Sequence, residues 1–372
     1  MMILLCVLII YIGFYKQIDI SKREISHQIN STIVELSGKK YLAGLFYSQQ
    51  KESLSTDQWI SKTAMNIFPL ENYFRHSKNI TEKKEDEETY EMILKMQEKD
   101  EEVPVKIQES AEQINIDKLY DYDYLISNFY TVDSSTSVTE SLINAEEMLS
   151  KDMTIDKKKS GPKVLIYHTH SQEAFKDSKK GESSETIMGM GAYLSKILNE
   201  NYGIETLHHK GIYDLIDGKL DRSKAYQLAE PQIRKILKEN PSIEVVIDLH
   251  RDGVKASTHL VTEINGKKTA RIMFFNGMSR TRANGDIEYL GNPYIEDNLA
   301  FSLQMQMKAM EKYPGLTRRI YLKSYRYNMH LKPKTLLVEA GAQTNTVDEM
   351  KYAMELLAEV LDGVLTGENT FD

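Results

Sequence analysis

Cysteine is almost absent from this sequence, in which Cys6 is the single thiol among 372 residues. One cysteine excludes a disulfide framework, and it also excludes a cysteine-rich zinc site. If the protein binds a metal ion, the ligands must therefore come from histidine, aspartate and glutamate.

The chain also lacks an excess of basic residues. It carries 47 lysines and arginines against 55 aspartates and glutamates, a formal net charge of −8. This balance disfavours nucleic acid as the main partner, because phosphate binding needs a basic surface. The length allows one large domain with additional material, or two domains.

The apolar run at the N-terminus is short. Its sequence, MILLCVLIIYIGFY, has 14 residues, fewer than the roughly 20 that span a bilayer. No small-x-small cleavage site follows the run, and Tyr11 and Tyr15 suit a membrane interface. We therefore expect residues 1–15 to form an uncleaved membrane anchor, with a cleaved signal peptide as the alternative. Basic residues follow the run and none precedes it, which on its own favours a cytoplasmic location for the rest of the chain.

Glycine is missing between Gly44 and Gly161, and 16 of the 19 glycines lie at Gly161 or later. Tight turns and strand-to-helix junctions use glycine, so the compact α/β part should begin near residue 161 or slightly before it. The charged segment 81–102 is typical of a solvated helix or a disordered spacer. We predict a spacer over residues 16–118 and, because residues 119–150 should pack onto the compact part, a folded domain over 119–372.

Strands alternate with helices after Gly161. Strands are predicted at 164–167, 204–207, 244–249 and 335–339, and helices at 186–200, 221–239, 294–312 and 346–365. This alternation indicates an α/β fold, with a mostly parallel twisted sheet and helices on both faces. Asn265-Gly266, between HLVTEI and TARIMFF, predicts a β-hairpin that adds an antiparallel edge to the sheet.

Three of the predicted strands end in residues able to bind a metal or move a proton. VLIY runs into HTHSQE, EVVIDL runs into His250, and TLLV runs into Glu339. Because functional groups in such sheets gather beyond the carboxyl ends of the strands, we expect His170, Glu173, His250 and Glu339 to share one site. Two histidines and one carboxylate leave a fourth tetrahedral position open, as in a catalytic zinc site, and a second carboxylate would serve hydrolysis.

Several assignments within this site stay open. His168 competes with His170 as a ligand, and Glu185 competes with Glu173. Asp248 has two readings, either orienting a ligand or pairing with its neighbour Arg251. The remaining histidines of this region are expected at the surface: His208, His209 and His259.

Four motifs carry a resemblance to a known family. In order along the chain, over about residues 119–372, they are IYHTHSQEAF, VVIDLHRDG, YPGLTRRI and YNMHLKPKTLLVEAGAQTNT. Together they closely resemble the stage II sporulation protein P family of endospore-forming bacteria. Members of that family are membrane-anchored peptidoglycan hydrolases, related to the zinc-dependent muramoyl-alanine amidases. They cut the amide between N-acetylmuramic acid and L-alanine, and they also cut peptide cross-links. They act during engulfment, beside stage II sporulation proteins D and M.

The resemblance implies specific roles here. Zinc would be held by His170, an acidic ligand and His250, with Glu339 as the catalytic glutamate. In the zinc amidases the acidic ligand usually lies about where Glu185 stands, so that choice remains open. Arg251 is a candidate for binding a stem-peptide carboxylate. The anchored protein would work outside the cytoplasm, between the mother-cell and forespore membranes.

Two other functions remain as alternatives. A zinc carboxypeptidase-like wall peptidase would use the same types of residue on a similar fold, so only the cleavage products distinguish it. A membrane-tethered scaffold that binds the wall without turnover would need neither a metal nor Glu339.

Overall fold

The computed structural model of the protein describes residues 116–368. The expected anchor at 1–15, and all but the end of the expected spacer at 16–118, lie outside the described residues, and the domain boundary at 119 stays a prediction. Within residues 116–368, no helix combines the length and apolar character needed to cross a bilayer.

The described part of the chain alternates between helices and strands. Its α-helices are α1 (Ile116–Leu119), α2 (Tyr122–Phe129), α3 (Ala145–Ser150), α4 (Ile187–Tyr202), α5 (Ala225–Glu239), α6 (Ile295–Lys312) and α7 (Val347–Thr366). Its strands are β1 (Tyr130–Val132), β2 (Val164–Tyr167), β3 (Thr206–His208), β4 (Leu215–Ile216), β5 (Lys219–Leu220), β6 (Val245–Asp252), β7 (Val261–Ile264), β8 (Lys267–Ala270), β9 (Ile272–Gly277), β10 (Arg280–Thr281), β11 (Gly285–Asp286), β12 (Ile320–Lys323) and β13 (Thr335–Ala342).

The predicted mixture of strands and helices is confirmed. The four predicted strands correspond to β2, β3, β6 and β13, and the four predicted helices correspond to α4, α5, α6 and α7. Each element begins and ends within four residues of its predicted bounds. These elements could be predicted because the spacing of apolar residues within a long segment is enough to distinguish a helix from a strand.

A seven-stranded sheet forms the centre of the fold, in the order β1-β12-β9-β13-β6-β2-β3. Every neighbouring pair is parallel except β9 and β13, which run antiparallel. The sheet is therefore mostly parallel, as predicted, and consists of two parallel blocks that run in opposite directions. The carboxyl ends of β2, β6 and β13 lie at the same edge.

The predicted hairpin forms, but its place in the fold was predicted wrongly. Asn265 and Gly266 both have positive φ, 52° and 74°, as a two-residue turn requires. They join β7 to β8 in a separate two-stranded ladder, not at an edge of the main sheet. The antiparallel strand of the main sheet is β9, which lies inside it between β12 and β13. A two-residue turn determines only that the strands on its two sides pair with each other. The place of β9 in the main sheet depends on strands that are distant in sequence.

Alternation along the strands divides the core between the two faces of the sheet. Val164 and Ile166 pack with residues of α4, α6 and α7, whereas Leu165 and Tyr167 pack with α5 on the opposite face. Helices therefore cover both faces, as predicted. Side chains at even positions of β6 and odd positions of β13 point to the α5 side, so the sequence period of two places Asp248, His250 and Glu339 on one face.

Candidate active site

The HTHSQE turn, directly after β2, is held in place by two buried carboxylates. Asp248 on β6 accepts hydrogen bonds from the backbone N–H of Thr169, at 2.9 Å, and from its hydroxyl. Asp214, which is fully buried, accepts a hydrogen bond from the Ser171 hydroxyl at 2.6 Å and one from the Gln172 N–H at 3.0 Å. These contacts fix the backbone on both sides of His170.

The structure brings His170, Glu173 and His250 together, with one candidate ligand atom from each within 4.8 Å of the others. The two carboxylate oxygens of Glu173 face different histidines, at 3.6 Å from Nδ1 of His170 and 3.9 Å from Nδ1 of His250. The two imidazole rings are nearly perpendicular, with centroids 4.8 Å apart. This is the set of three residues predicted from the strand ends.

The charges in this cluster are strongly coupled. Burial alone would raise the pKa of Glu173, but the hydrogen bond with His170 and the charge of His250 lower it to about 2. Burial alone would likewise lower the pKa of His250, but the carboxylates of Asp248 and Glu173 raise it to about 10. Nε2 of His250 lies 2.8 Å from Oδ1 of Asp248. The cluster thus concentrates negative charge around nitrogen donors, where a cation is favoured.

Glu339 is the fourth residue at this edge of the sheet. It stands directly opposite His250 in the pairing of β13 with β6. Burial raises the pKa of Glu339 to about 8, and the charges of Asp252 and Glu173 act in the same direction. Its Oε2 is buried and has no hydrogen-bond partner among the described residues. A carboxylate of this kind can accept a proton near neutral pH.

The cluster fits a zinc ion. Nε2 of His170 is buried without a hydrogen-bond partner in the described part of the chain, although buried polar atoms are normally satisfied. Two imidazoles and one carboxylate match the ligand sets of catalytic zinc sites. Asp248 lies beside His250, where a carboxylate can orient a histidine that binds a metal. Of the two roles considered for Asp248, this arrangement favours orienting a ligand over pairing with Arg251.

The competing residues His168 and Glu185 lie outside this cluster. His168 follows Ile166 by two residues and is fully buried on the α4 side. Its Nδ1 lies 2.8 Å from the carbonyl oxygen of Leu249, and its Nε2 lies 2.9 Å from Nε2 of His208. The carboxylate of Glu185 accepts hydrogen bonds from the backbone N–H of Lys179, at 2.7 Å, and from its ammonium group.

The expectation that His208 and His209 lie at the surface was wrong, because both are half-buried. His208 packs against His168, and α4 approaches both rings so closely that a Cβ on Gly191 would lie 2.4 Å from His168 and 2.8 Å from His208. His209 is bonded to the Tyr213 hydroxyl at 2.6 Å. His259 is exposed, as expected.

Arg251 contacts the cluster mainly through its backbone. Its N–H donates to Oε2 of Glu173 at 2.8 Å. Its guanidinium donates to the carbonyl oxygens of Ala174 and Asp252, at 3.0 and 3.1 Å. The role of Arg251 in substrate binding therefore stays a prediction.

Sequence reasoning missed several residues around the site. Arg222 lies just before α5, with Nη2 3.4 Å from Oε1 of Glu173. Arg318 forms an ion pair with Asp252 at 2.7 Å. Arg318 lies in the motif YPGLTRRI, which was the one signal available for it. The position of Arg222 follows from packing between distant segments and has no local signal.

Comparison with known proteins identifies relatives of this chain. The family described as stage II sporulation protein P matches residues 45–362. The stage II sporulation protein P of Bacillus subtilis (strain 168) is 28% identical over 232 residues, which cover 58% of this chain and 53% of that protein. The chain thus spans about half the length of this curated relative.

Solved structures give weaker likenesses. The CwlD amidase from Clostridioides difficile, in complex with the GerS lipoprotein, is 12% identical, with a TM-score of 0.36 over 54% of this chain and 98% of that one. The N-acetylmuramyl-L-alanine amidase Ami1 from Mycobacterium abscessus, in its apo form, is 14% identical, with a TM-score of 0.32 over 55% of this chain and 97% of that one. No function is assigned from likenesses of this strength.

Proposed function

This chain belongs to the stage II sporulation protein P family, and we propose that it is a zinc-dependent peptidoglycan hydrolase that cuts the amide between N-acetylmuramic acid and L-alanine. The observation that carries the proposal is the convergence of His170, Glu173 and His250 at one sheet edge, with Glu339 directly opposite His250. In the proposal these three residues are the zinc ligands and Glu339 is the catalytic residue.

The reaction divides between the metal and the protein. When bound, zinc would supply Lewis-acid activation of the amide carbonyl and of the attacking water. The Glu339 carboxylate takes a proton from the water and gives it to the nitrogen that leaves with alanine. Oε2 of Glu339 is buried without a hydrogen-bond partner among the described residues, so this oxygen has no protein hydrogen bond to break before it takes part in the two transfers.

Neighbouring residues hold the reacting groups in position. Asp248 fixes the ring of His250, and Asp214 and Asp248 together fix the turn that carries His170 and Glu173. Groups held in this way lose little freedom when the substrate binds, which lowers the entropic part of the barrier.

The proposal extends to the place of action and the partners. The 14-residue apolar run would hold the protein in the membrane, with residues 16–372 outside the cytoplasm, where peptidoglycan is found. Cleavage of peptide cross-links, and work beside stage II sporulation proteins D and M during engulfment, follow from the family resemblance and belong to the same proposal.

The test is a digest of purified peptidoglycan by the full-length chain, prepared without chelator and followed by mass spectrometry. We expect stem peptides with a free L-alanine amine. His250→Ala should abolish their release, and His259→Ala, which changes an exposed histidine that is paired with Glu349, should leave it unchanged. Release of single terminal amino acids would instead indicate a carboxypeptidase, and binding without any product would indicate a scaffold.

A further inference from the structure

Two tyrosines line one side of the candidate active site. The ring of Tyr226, at the start of α5, lies edge-on to His170, with centroids 5.9 Å apart. The ring of Tyr327 meets Tyr226 at 5.3 Å and an interplanar angle of 78°. Both tyrosines are half-buried. We refer to Tyr226 and Tyr327 together as the aromatic wall.

The wall rests on a rigid base. Tyr327 packs edge-on against Phe275 of β9, with ring centroids 4.8 Å apart, and Phe275 stacks on Tyr321 of β12 at 5.5 Å. Phe275, Tyr321 and the β13 residue Leu337 form a small buried cluster on the sheet face that also carries Glu339. The wall and the catalytic carboxylate therefore stand on the same face of the sheet.

The backbone that presents Tyr327 is strained. Tyr327 and Asn328 have consecutive positive φ angles, 46° and 56°, a backbone conformation that residues other than glycine rarely adopt. Neighbouring contacts impose this conformation, since Asn328 donates to the carbonyl oxygen of Tyr226 at 3.0 Å. Asn298 of α6 also donates to the carbonyl oxygen of Met329 at 2.7 Å. Strain that the surroundings maintain is concentrated at ligand and active sites.

Ion pairs bind the same loop to α5. Glu230 lies 3.1 Å from Nη2 of Arg326 and 3.1 Å from Nε2 of His330. One turn of helix separates Glu230 from Tyr226, so this pairing fixes the spacing between the two tyrosines. The ring of Tyr226 is thus placed beside His170, and the ring of Tyr327 against Tyr226, before any substrate arrives.

We propose that the aromatic wall is a saccharide subsite, which binds the face of the sugar ring on the glycan side of the scissile bond. This inference rests on the proposed function, in which the bond that is cut joins a sugar to a peptide. Half-buried tyrosine rings offer flat apolar faces, which match the C–H face of a pyranose. The stem peptide carries carboxylates, which suit the guanidinium groups of Arg222 and Arg318 better than neutral rings.

The experiment measures binding of two separate halves of the substrate to the full-length chain by calorimetry: peptide-free glycan strands, and sugar-free stem peptide. Tyr327→Gly removes the ring, and glycine tolerates the positive φ. Tyr327→Phe keeps the ring, and Tyr289→Gly, which removes an exposed tyrosine from the short 3-10 helix Glu288–Leu290, is the control. We expect Tyr327→Gly to weaken glycan binding by about tenfold or more. Tyr327→Phe should stay within about twofold of the unmodified chain, as should the control.

Each outcome decides the proposal. Unchanged glycan binding by Tyr327→Gly overturns it, and so does a loss confined to the stem peptide. If the chain still hydrolyses peptidoglycan but its glycan binding does not depend on Tyr327, the subsite is wrong and the proposed hydrolase stands. Glycan binding that depends on Tyr327, in a chain that releases no stem peptides, keeps the subsite and removes the proposed hydrolase.

A second measurement covers the case in which Tyr327→Gly fails to fold. The unmodified chain is labelled with fluorotyrosine, and the ¹⁹F signal of Tyr327 is assigned as the one that Tyr327→Phe lacks. That signal should shift when peptide-free glycan is added and stay constant with stem peptide. If the Tyr327 signal does not shift when glycan is added, the subsite proposal is wrong, and this result does not depend on Tyr327→Gly.

Discussion

Glu173 and Glu339 face the same histidine but lie in different electrostatic surroundings. Glu173 accepts a hydrogen bond from the Arg251 N–H and lies beside His170, and its pKa is lowered to about 2. Burial raises the pKa of Glu339 to about 8, and its Oε2 has no partner among the described residues. Two carboxylates whose pKa values are driven apart suit two roles, one as a permanent anion and one as a proton carrier.

The two roles predict different effects of the same substitution. Glu339→Gln keeps the size of the side chain but removes the proton acceptor, so turnover should fall by about 100-fold or more while zinc stays bound. Glu173→Gln removes a charged ligand, so zinc affinity should fall and excess zinc should restore part of the activity. Elemental analysis and stem-peptide release, both measured during a zinc titration, check the two variants together.

The matched control for this pair is Glu185→Gln, which changes the competing acidic residue. Its carboxylate is bonded to Lys179, outside the cluster, so zinc content and turnover should stay near those of the unmodified chain. Loss of zinc in Glu185→Gln, with zinc retained in Glu173→Gln, would reverse the assignment.

Residues that follow directly after predicted strands could be found from the sequence. His170, Glu173, His250 and Glu339 all follow apolar runs, and the rule that parallel strands share a functional edge brings them together. Asp214 could not be found in this way, because it reaches the HTHSQE turn from a loop after β3. Its role becomes visible only through its hydrogen bonds to Ser171 and Gln172.

At the scale of elements, local patterns located helices and strands but not their partners. The VLIY strand was predicted with its observed bounds, and the turn at Asn265-Gly266 was predicted correctly. The pairing of β9 with β13 was missed, because the two strands are far apart in sequence and neither has a local pattern that identifies its partner. The loop after β12 was noted only as the start of the motif YNMHLKPKTLLVEAGAQTNT. Its strained backbone was not predicted, because contacts with α5 and α6 impose it.

The attachment of that loop to α5 predicts a pH-dependent stability. Burial would raise the pKa of Glu230, but hydrogen bonding with His330 and the nearby guanidinium groups of Arg234 and Arg326 lower it to about 2. A lowered folded-state pKa adds stability above the unfolded value near 4.5, and that stability is lost as the pH falls towards 2. Glu230→Gln should therefore reduce the free energy of unfolding at pH 7 by about 1–2 kcal/mol, allowing for solvent screening.

Urea unfolding at pH 7 and at pH 3.5 measures this effect, and the difference between Glu230→Gln and the unmodified chain should shrink at the lower pH. Glu239→Gln is the control, because Glu239 is exposed on the same helix and lies 3.9 Å from Lys235. An equal loss of stability for both variants, or a Glu230→Gln effect that grows in acid, would contradict the role given to this pairing.

At the scale of the whole molecule, the proposed metal site joins parts of the chain that are distant in sequence. His170 and Glu173 follow β2, His250 lies in β6, and Glu339 lies in β13, so the cluster exists only when three strands of the sheet are assembled. The unfolded chain holds no such arrangement. Binding of a metal at this cluster therefore adds its free energy to that of folding.

The last prediction follows from this linkage. With zinc at about 1,000 times its Kd, the folded state gains about 4 kcal/mol, and at about 2–4 °C per kcal/mol for a domain of this size the midpoint of thermal unfolding should rise by roughly 8–16 °C. Calorimetry of the full-length chain, first after chelation and then after zinc is restored, measures the change. In Glu173→Gln and His250→Ala the response to zinc should be largely lost, whatever each variant does to the stability of the metal-free chain. His259→Ala should respond as the unmodified chain does, because its exposed imidazole is paired with Glu349 away from the cluster. An undiminished zinc response in His250→Ala would place the stabilising metal elsewhere in the protein, and the cluster at the edge of β2, β6 and β13 would lose its assignment.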